Sequence, residues 1–114
     1  MRQQIIDCLN GHRFPLHDEI ELHKEMANAL AAANISFRRE VKLGPYERID
    51  FLCGNIGIEV KIKGVAKRIY KQCEGYCQHD EIKEFILVTN RSMGFPESLN
   101  GKPCYVVRLG RSWL

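Results

Sequence analysis

Apolar residues recur along the chain with two different periods, and each change of period marks a new element. From Asp18 or Glu19 to Ala33, the residues Ile20, His23, Met26, Ala27, Leu30 and Ala33 follow at three- and four-residue steps, the spacing of one helix face. The alanines favour helix, and Asn34 is a natural stop because it tolerates the left-handed conformation. The period then drops to two. Phe37 to Leu43 alternates and ends at Gly44-Pro45, a turn signal. Glu47 to Cys53 resumes extended structure and breaks at Gly54-Asn55. Gly57 to Lys63 alternates cleanly, with Ile58, Val60 and Ile62 on one face and Glu59, Lys61 and Lys63 on the other. Tight turns between these three segments predict an antiparallel meander, which Gly64 ends.

Helical spacing returns from Val65 to about His79 through Ile69, Gln72, Cys73 and Tyr76, with Gly75 as its weak point. Phe85-Ile86-Leu87-Val88-Thr89 is a continuous apolar run, as expected of a buried central strand. Gly94-Phe95-Pro96 opens a loop with room for one helical turn, and Cys104 to Leu109 reads as a last strand. Residues 1–18, punctuated by Gly11 and Pro15, read as either an arm or a short leading helix. The order predicts an α/β (α+β) fold, with helices flanking a mixed central sheet.

A length of 114 residues suits one domain, here expected to span 1–114, and 45% apolar with 27% charged residues suits an ordinary globule. No apolar run approaches the length of a membrane span, so no membrane partner is expected. The opening Met1-Arg2-Gln3-Gln4 leads into a polar stretch rather than an apolar signal core. Five cysteines, an odd number, agree with free thiols in a reducing, cytoplasmic setting. Cys73 and Cys77 lie too far apart for a zinc-knuckle pair, so the cysteines read as small buried hydrophobes.

Charge is informative in its distribution. The total is only +3, yet Ser36 to Gln72 holds nine lysines and arginines against four acids. Within this basic middle, the hairpin at Gly54-Asn55 can bring Asp50 alongside Glu59, and alternation puts Glu59 and Lys61 on one face. Two carboxylates can bind a hard divalent cation through oxygen while leaving waters on it. A nearby lysine can stabilise charge that develops on a phosphate and orient an attacking water. Such a set suits phosphodiester hydrolysis; the same residues can also form a simple surface ion pair.

The segment Arg48-Ile49-Asp50-Phe51-Leu52-Cys53-Gly54-Asn55-Ile56-Gly57-Ile58-Glu59-Val60-Lys61 resembles the core motif of the PD-(D/E)XK nuclease superfamily. Ile49 stands where the family's name has proline. The predicted order also resembles the superfamily's αβββαβ core, over roughly residues 19–90. Gln72-Cys73-Glu74-Gly75-Tyr76 has the Q-x3-Y spacing of RecB-like members. Small single-domain members include enzymes of the Holliday-junction-resolvase type.

The resemblance implies a restriction-endonuclease-like fold and an Mg2+- or Mn2+-dependent nuclease acting on structured or duplex DNA. It implies Asp50, Glu59, Lys61, Glu21 and Gln72 as catalytic residues, with Asp50, Glu59 and Glu21 as metal ligands. Glu25 is the alternative to Glu21, and Glu40 in the first strand is a lesser candidate that pairs more naturally with Arg38 or Lys42. DNA contacts are expected from Lys63, Lys67, Arg68, Lys71, Arg48 and Tyr76, the last facing either DNA or the core. Lys67, Arg68 and Lys71 form a stripe that could track a phosphate backbone. No aromatic interleaving of the kind that stacks unpaired bases is evident. A homodimer or a partner protein would supply further contact surface. The alternative is a noncatalytic DNA-binding or assembly module that retains the fold.

Overall fold

The computed structural model describes residues 1–110, so the last four residues of the expected 1–114 domain lie outside it. α1 (Arg2–Asn10) and α2 (Glu19–Ala32) lead into β1 (Arg38–Lys42), β2 (Arg48–Cys53) and β3 (Ile56–Lys61). α3 (Ala66–Tyr76), β4 (Glu84–Thr89), β5 (Ser98–Leu99) and β6 (Lys102–Arg108) follow. The six strands form one mixed sheet in the order β1-β2-β3-β4-β6-β5. β1, β2 and β3 are the expected antiparallel meander, while β4 runs parallel to both β3 and β6. A parallel β3–β4 pair cannot be closed by a tight turn, so the chain crosses over through α3.

Alternation along the strands splits the core in two. Ile58, Val60, Ile86, Val88 and Val107 face α1 and α2, where Ile5, Leu9, Leu22, Met26 and Leu30 meet them. Leu52, Phe85 and Leu87 face α3, where Ile69, Cys73 and Tyr76 meet them. Each fully buried Leu, Ile or Phe side chain contributes about 1.5–3 kcal/mol by leaving water. Cys53, Cys73, Cys77 and Cys104 are buried among these apolar groups as free thiols, and Cys8 is half-buried. No helix among the described residues is long and apolar enough to cross a membrane.

The first eighteen residues contain a leading helix rather than an arm. Its buried residues are only Ile5 and Leu9, one turn apart, too few to establish a period. Arg2 anchors it through an ion pair with Glu84 at 3.1 Å and by lying over the Tyr105 ring. At Gly94-Phe95-Pro96 no helical turn forms. Proline disfavours helical backbone at the residue before it. Phe95 instead stacks on Phe85, and the chain goes on into the short β5, joined to β6 through Asn100-Gly101, both at positive φ as a tight hairpin turn requires.

α2 carries the side chains that matter below, and both its ends are specified locally. Asp18 caps the N-terminus, its carboxylate accepting from the Ile20 and Glu21 N–H groups. Asn34 is left-handed at φ 60°, and the Ile35 and Asn34 N–H groups close back onto the Leu30 and Ala31 carbonyls. The expected stop at Asn34 therefore falls where the helix ends. Asp18→Ala should lower stability by about 1 kcal/mol, and Asp18→Asn should retain most of it. A shifted urea midpoint at unchanged slope checks this; equal losses in both variants would show that the cap is not responsible.

Candidate metal and catalytic site

The β2–β3 ladder stops just short of the two acids. Backbone pairing runs from Cys53–Ile56 to Phe51–Ile58 and ends there. Beyond it, carboxylates replace carbonyls as acceptors. The Asp50 N–H donates to Glu59 Oε1 at 3.1 Å, and the Val60 N–H donates to Asp50 Oδ2 at 2.8 Å. Leaving those buried donors unpaired would cost about 1–3 kcal/mol each, so the side chains are held firmly. The strand's alternation slips at the same point: Ile49 and Phe51 are two residues apart yet lie in opposite cores.

Glu59 is 2% exposed. Its Oε2 accepts from the Tyr76 hydroxyl at 2.9 Å and lies 3.4 Å from Lys61 Nζ. Burial pushes the Glu59 carboxyl up to about 8, with the Asp50 carboxylate acting in the same direction and Lys61 and the Tyr76 hydroxyl opposing. The Tyr76 oxygen also lies 3.2 Å from the Arg48 carbonyl, and its single proton cannot serve both acceptors. An ionised Glu59 takes that proton's hydrogen bond. A protonated Glu59 can donate to Tyr76 and release the phenol to the carbonyl. Burial also raises Asp50, against the Val60 N–H and the nearby His23.

On the α2 side of Asp50 lies a cavity of about 300 Å3, lined by Glu19, Ile20, His23, Glu40, Asp50, Val60 and Lys61. Ligand atoms of His23, Glu40 and Asp50 all lie within 4.8 Å of one another. Bonds of about 2.0–2.5 Å to a common ion allow such separations. His23 Nε2 is buried without a hydrogen-bond partner, and at 3.7 Å from Asp50 Oδ2 it is too far to form one. A buried ring nitrogen beside two carboxylates has the chemistry of an unused ligand. These residues therefore fit a divalent cation.

Asp50, Glu59 and Lys61 come together as expected, but the rest of the site differs from the reading of the sequence. Glu59 stands outside the His23–Glu40–Asp50 group, with both its oxygens already engaged. Glu21, expected as the helix ligand, does not line the cavity, and neither does Glu25. At about 100° per residue, Glu19, Ile20 and His23 share one side of α2, and Glu21 points away from it. The α2 side chain that meets Asp50 and Glu40 is His23, which the sequence showed only as a member of the apolar stripe. Glu40 makes no ion pair with Arg38 or Lys42; it sits in β1 at φ 52° with its carboxylate in the cluster. A non-glycine residue there carries strain of roughly 1–2 kcal/mol, the kind of cost that collects at functional sites.

Gln72 is half-buried on α3 and makes no hydrogen bond to either acid. Tyr76 is only 1% exposed, so it faces the core and not a DNA surface. Arg48, Lys63, Lys67, Arg68 and Lys71 are exposed, and Lys67, Arg68 and Lys71 line one shallow groove with Val65. The chain matches no protein-family model, no curated protein and no solved structure.

The elevated Glu59 carboxyl has a consequence for stability. Its value is raised from 4.5, so the folded chain holds this proton more tightly than the unfolded one. The resulting stability is complete below about pH 4.5 and is lost as pH rises toward 8. Glu59→Gln, neutral throughout, should match wild type near pH 4.5 and exceed it at pH 8 when both are unfolded with urea in a chelator. Parallel pH profiles would show that Glu59 titrates normally.

Proposed function

We propose that this protein is a metal-dependent nuclease that hydrolyses DNA phosphodiester bonds. The observation that carries the reading is the convergence, at one break in the sheet, of a cation-competent cluster with a lysine. Asp50, His23 and Glu40 would hold a magnesium or manganese ion, and Lys61 lines the same cavity. Such an ion, when bound, lowers the pKa of its water and neutralises charge gathering on the phosphate. Lys61 adds a positive charge directed at the same phosphate oxygens and helps to place the attacking water. Glu59, anchored by Tyr76 and the Asp50 N–H, keeps Lys61 in position. The resemblance to PD-(D/E)XK nucleases supports this, as do the order of the elements and the antiparallel meander followed by a parallel crossover. On that resemblance the fold is restriction-endonuclease-like.

Lys67, Arg68 and Lys71, with Arg48 and Lys63, supply the phosphate contacts. They read the backbone rather than base edges, so recognition follows the shape of the DNA. A second copy of the chain or a partner protein would extend this small contact surface.

With magnesium or manganese the purified protein should cleave one or more of single-stranded, duplex, flap and four-way DNA. Asp50→Ala and Lys61→Ala should each reduce the rate by at least about 100-fold. Unchanged cleavage by both variants would sink the assignment. The Lys67→Ala, Arg68→Ala, Lys71→Ala triple variant should bind duplex DNA more weakly. Its slope of log affinity against log salt should fall by up to about 2.7, or about 0.9 for each lost phosphate contact. An unchanged slope would place the DNA path elsewhere.

A further inference from the structure

The turn between β1 and β2 holds Tyr46 in water at 96% exposure, more than any other large apolar or aromatic side chain among the described residues. The turn that carries it is braced. Leu43 beneath it is buried, and the Leu43 N–H donates to the Glu47 carbonyl at 2.9 Å. The Glu47 carboxylate meets His79 Nε2 at 2.6 Å beyond the end of α3, and the missing side chain of Gly75 leaves room for it. Lys42 and Arg48, paired across the base of the hairpin, are both exposed. With Pro45, Tyr46 and Glu47 they line a concavity of about 370 Å3.

We propose that Tyr46 is a stacking platform for an unpaired base, with Lys42 and Arg48 taking the phosphates beside it. This rests on the nuclease reading of the Asp50 site and names its substrate class: DNA with a single-stranded or branched segment. The ring offers a π face that any base can use, and the two cations complement the strand's backbone. The spacing suits a continuous strand. Tyr46 precedes Asp50 by four residues, at most about 13 Å of extended chain. That leaves room for at most about four stacked nucleotides between the platform and the site of cleavage.

Tyr46 supports no packing, so Tyr46→Ala should fold like the wild type, with an unchanged thermal midpoint. The test measures binding in a chelator, by anisotropy and by fluorescence of 2-aminopurine placed in an unpaired segment. Wild type should quench the 2-aminopurine. Tyr46→Ala should lose the quenching and bind single-stranded and flap DNA roughly 5- to 140-fold more weakly, while duplex affinity stays the same. Tyr46→Trp should restore both signals. Equal affinity of wild type and Tyr46→Ala for unpaired DNA, or an equal loss on duplex, would overturn the proposal. Tyr46-dependent binding by a protein that fails to cleave would keep this inference while the nuclease reading fell. Metal-dependent cleavage with Tyr46→Ala still binding unpaired DNA at full strength would do the reverse.

Discussion

Two backbone donors in the middle of the sheet have carboxylates as partners where a regular ladder would supply carbonyls. The Asp50 N–H goes to Glu59 and the Val60 N–H goes to Asp50, so each acid holds the strand that bears the other. This reciprocal clasp keeps β2 and β3 together after their own pairing has ended. It also explains how two acids can sit so close within a protein interior. Each carboxylate is desolvated, but each is given a directed N–H, and Lys61 and Tyr76 are arranged around Glu59.

The divided surroundings give the acids different chemistry. Glu59 lies on the α3 side, almost sealed, and retains a proton more readily than an ordinary glutamate. Asp50 opens toward α2, beside His23 and the exposed Glu40, where a cation could replace the water that the Asp50 carboxylate has lost. One break in the sheet thus produces a proton-holding acid on one side and a His23–Glu40–Asp50 cluster able to take a cation on the other, with Lys61 in contact with both regions. The strained backbone of Glu40 belongs to the same arrangement, since without its left-handed φ a strand residue at this edge would follow the regular alternation.

Much of this was legible from residue order alone. Period-two and helical spacing located α2, the three-strand meander, α3, β4 and β6 to within a few residues. Asn34 and the glycine turns marked their ends. The Asp50, Glu59 and Lys61 set was legible too, because a tight hairpin leaves little choice about which residues face each other. α1 was harder to read, since two buried residues one turn apart make no period, and β5 was missed because two residues make no alternation. His23 was hidden by its own position in the apolar stripe. Its side chain is mostly buried, but what lies opposite it comes from β1 and β2.

Local physics thus determined the elements and their turns, and put two acids and a lysine on neighbouring strands of a basic segment. Those properties depend on residues close in the chain, where spacing translates directly into direction. Only the tertiary structure decided that His23 and Glu40, rather than Glu21, meet Asp50, that Tyr76 holds Glu59 from within the core, and that Tyr46 stands in water. Each of these depends on how α2, the sheet and α3 are rotated against one another. That rotation is set by the packing of both cores together, a sum over distant residues that no local pattern contains.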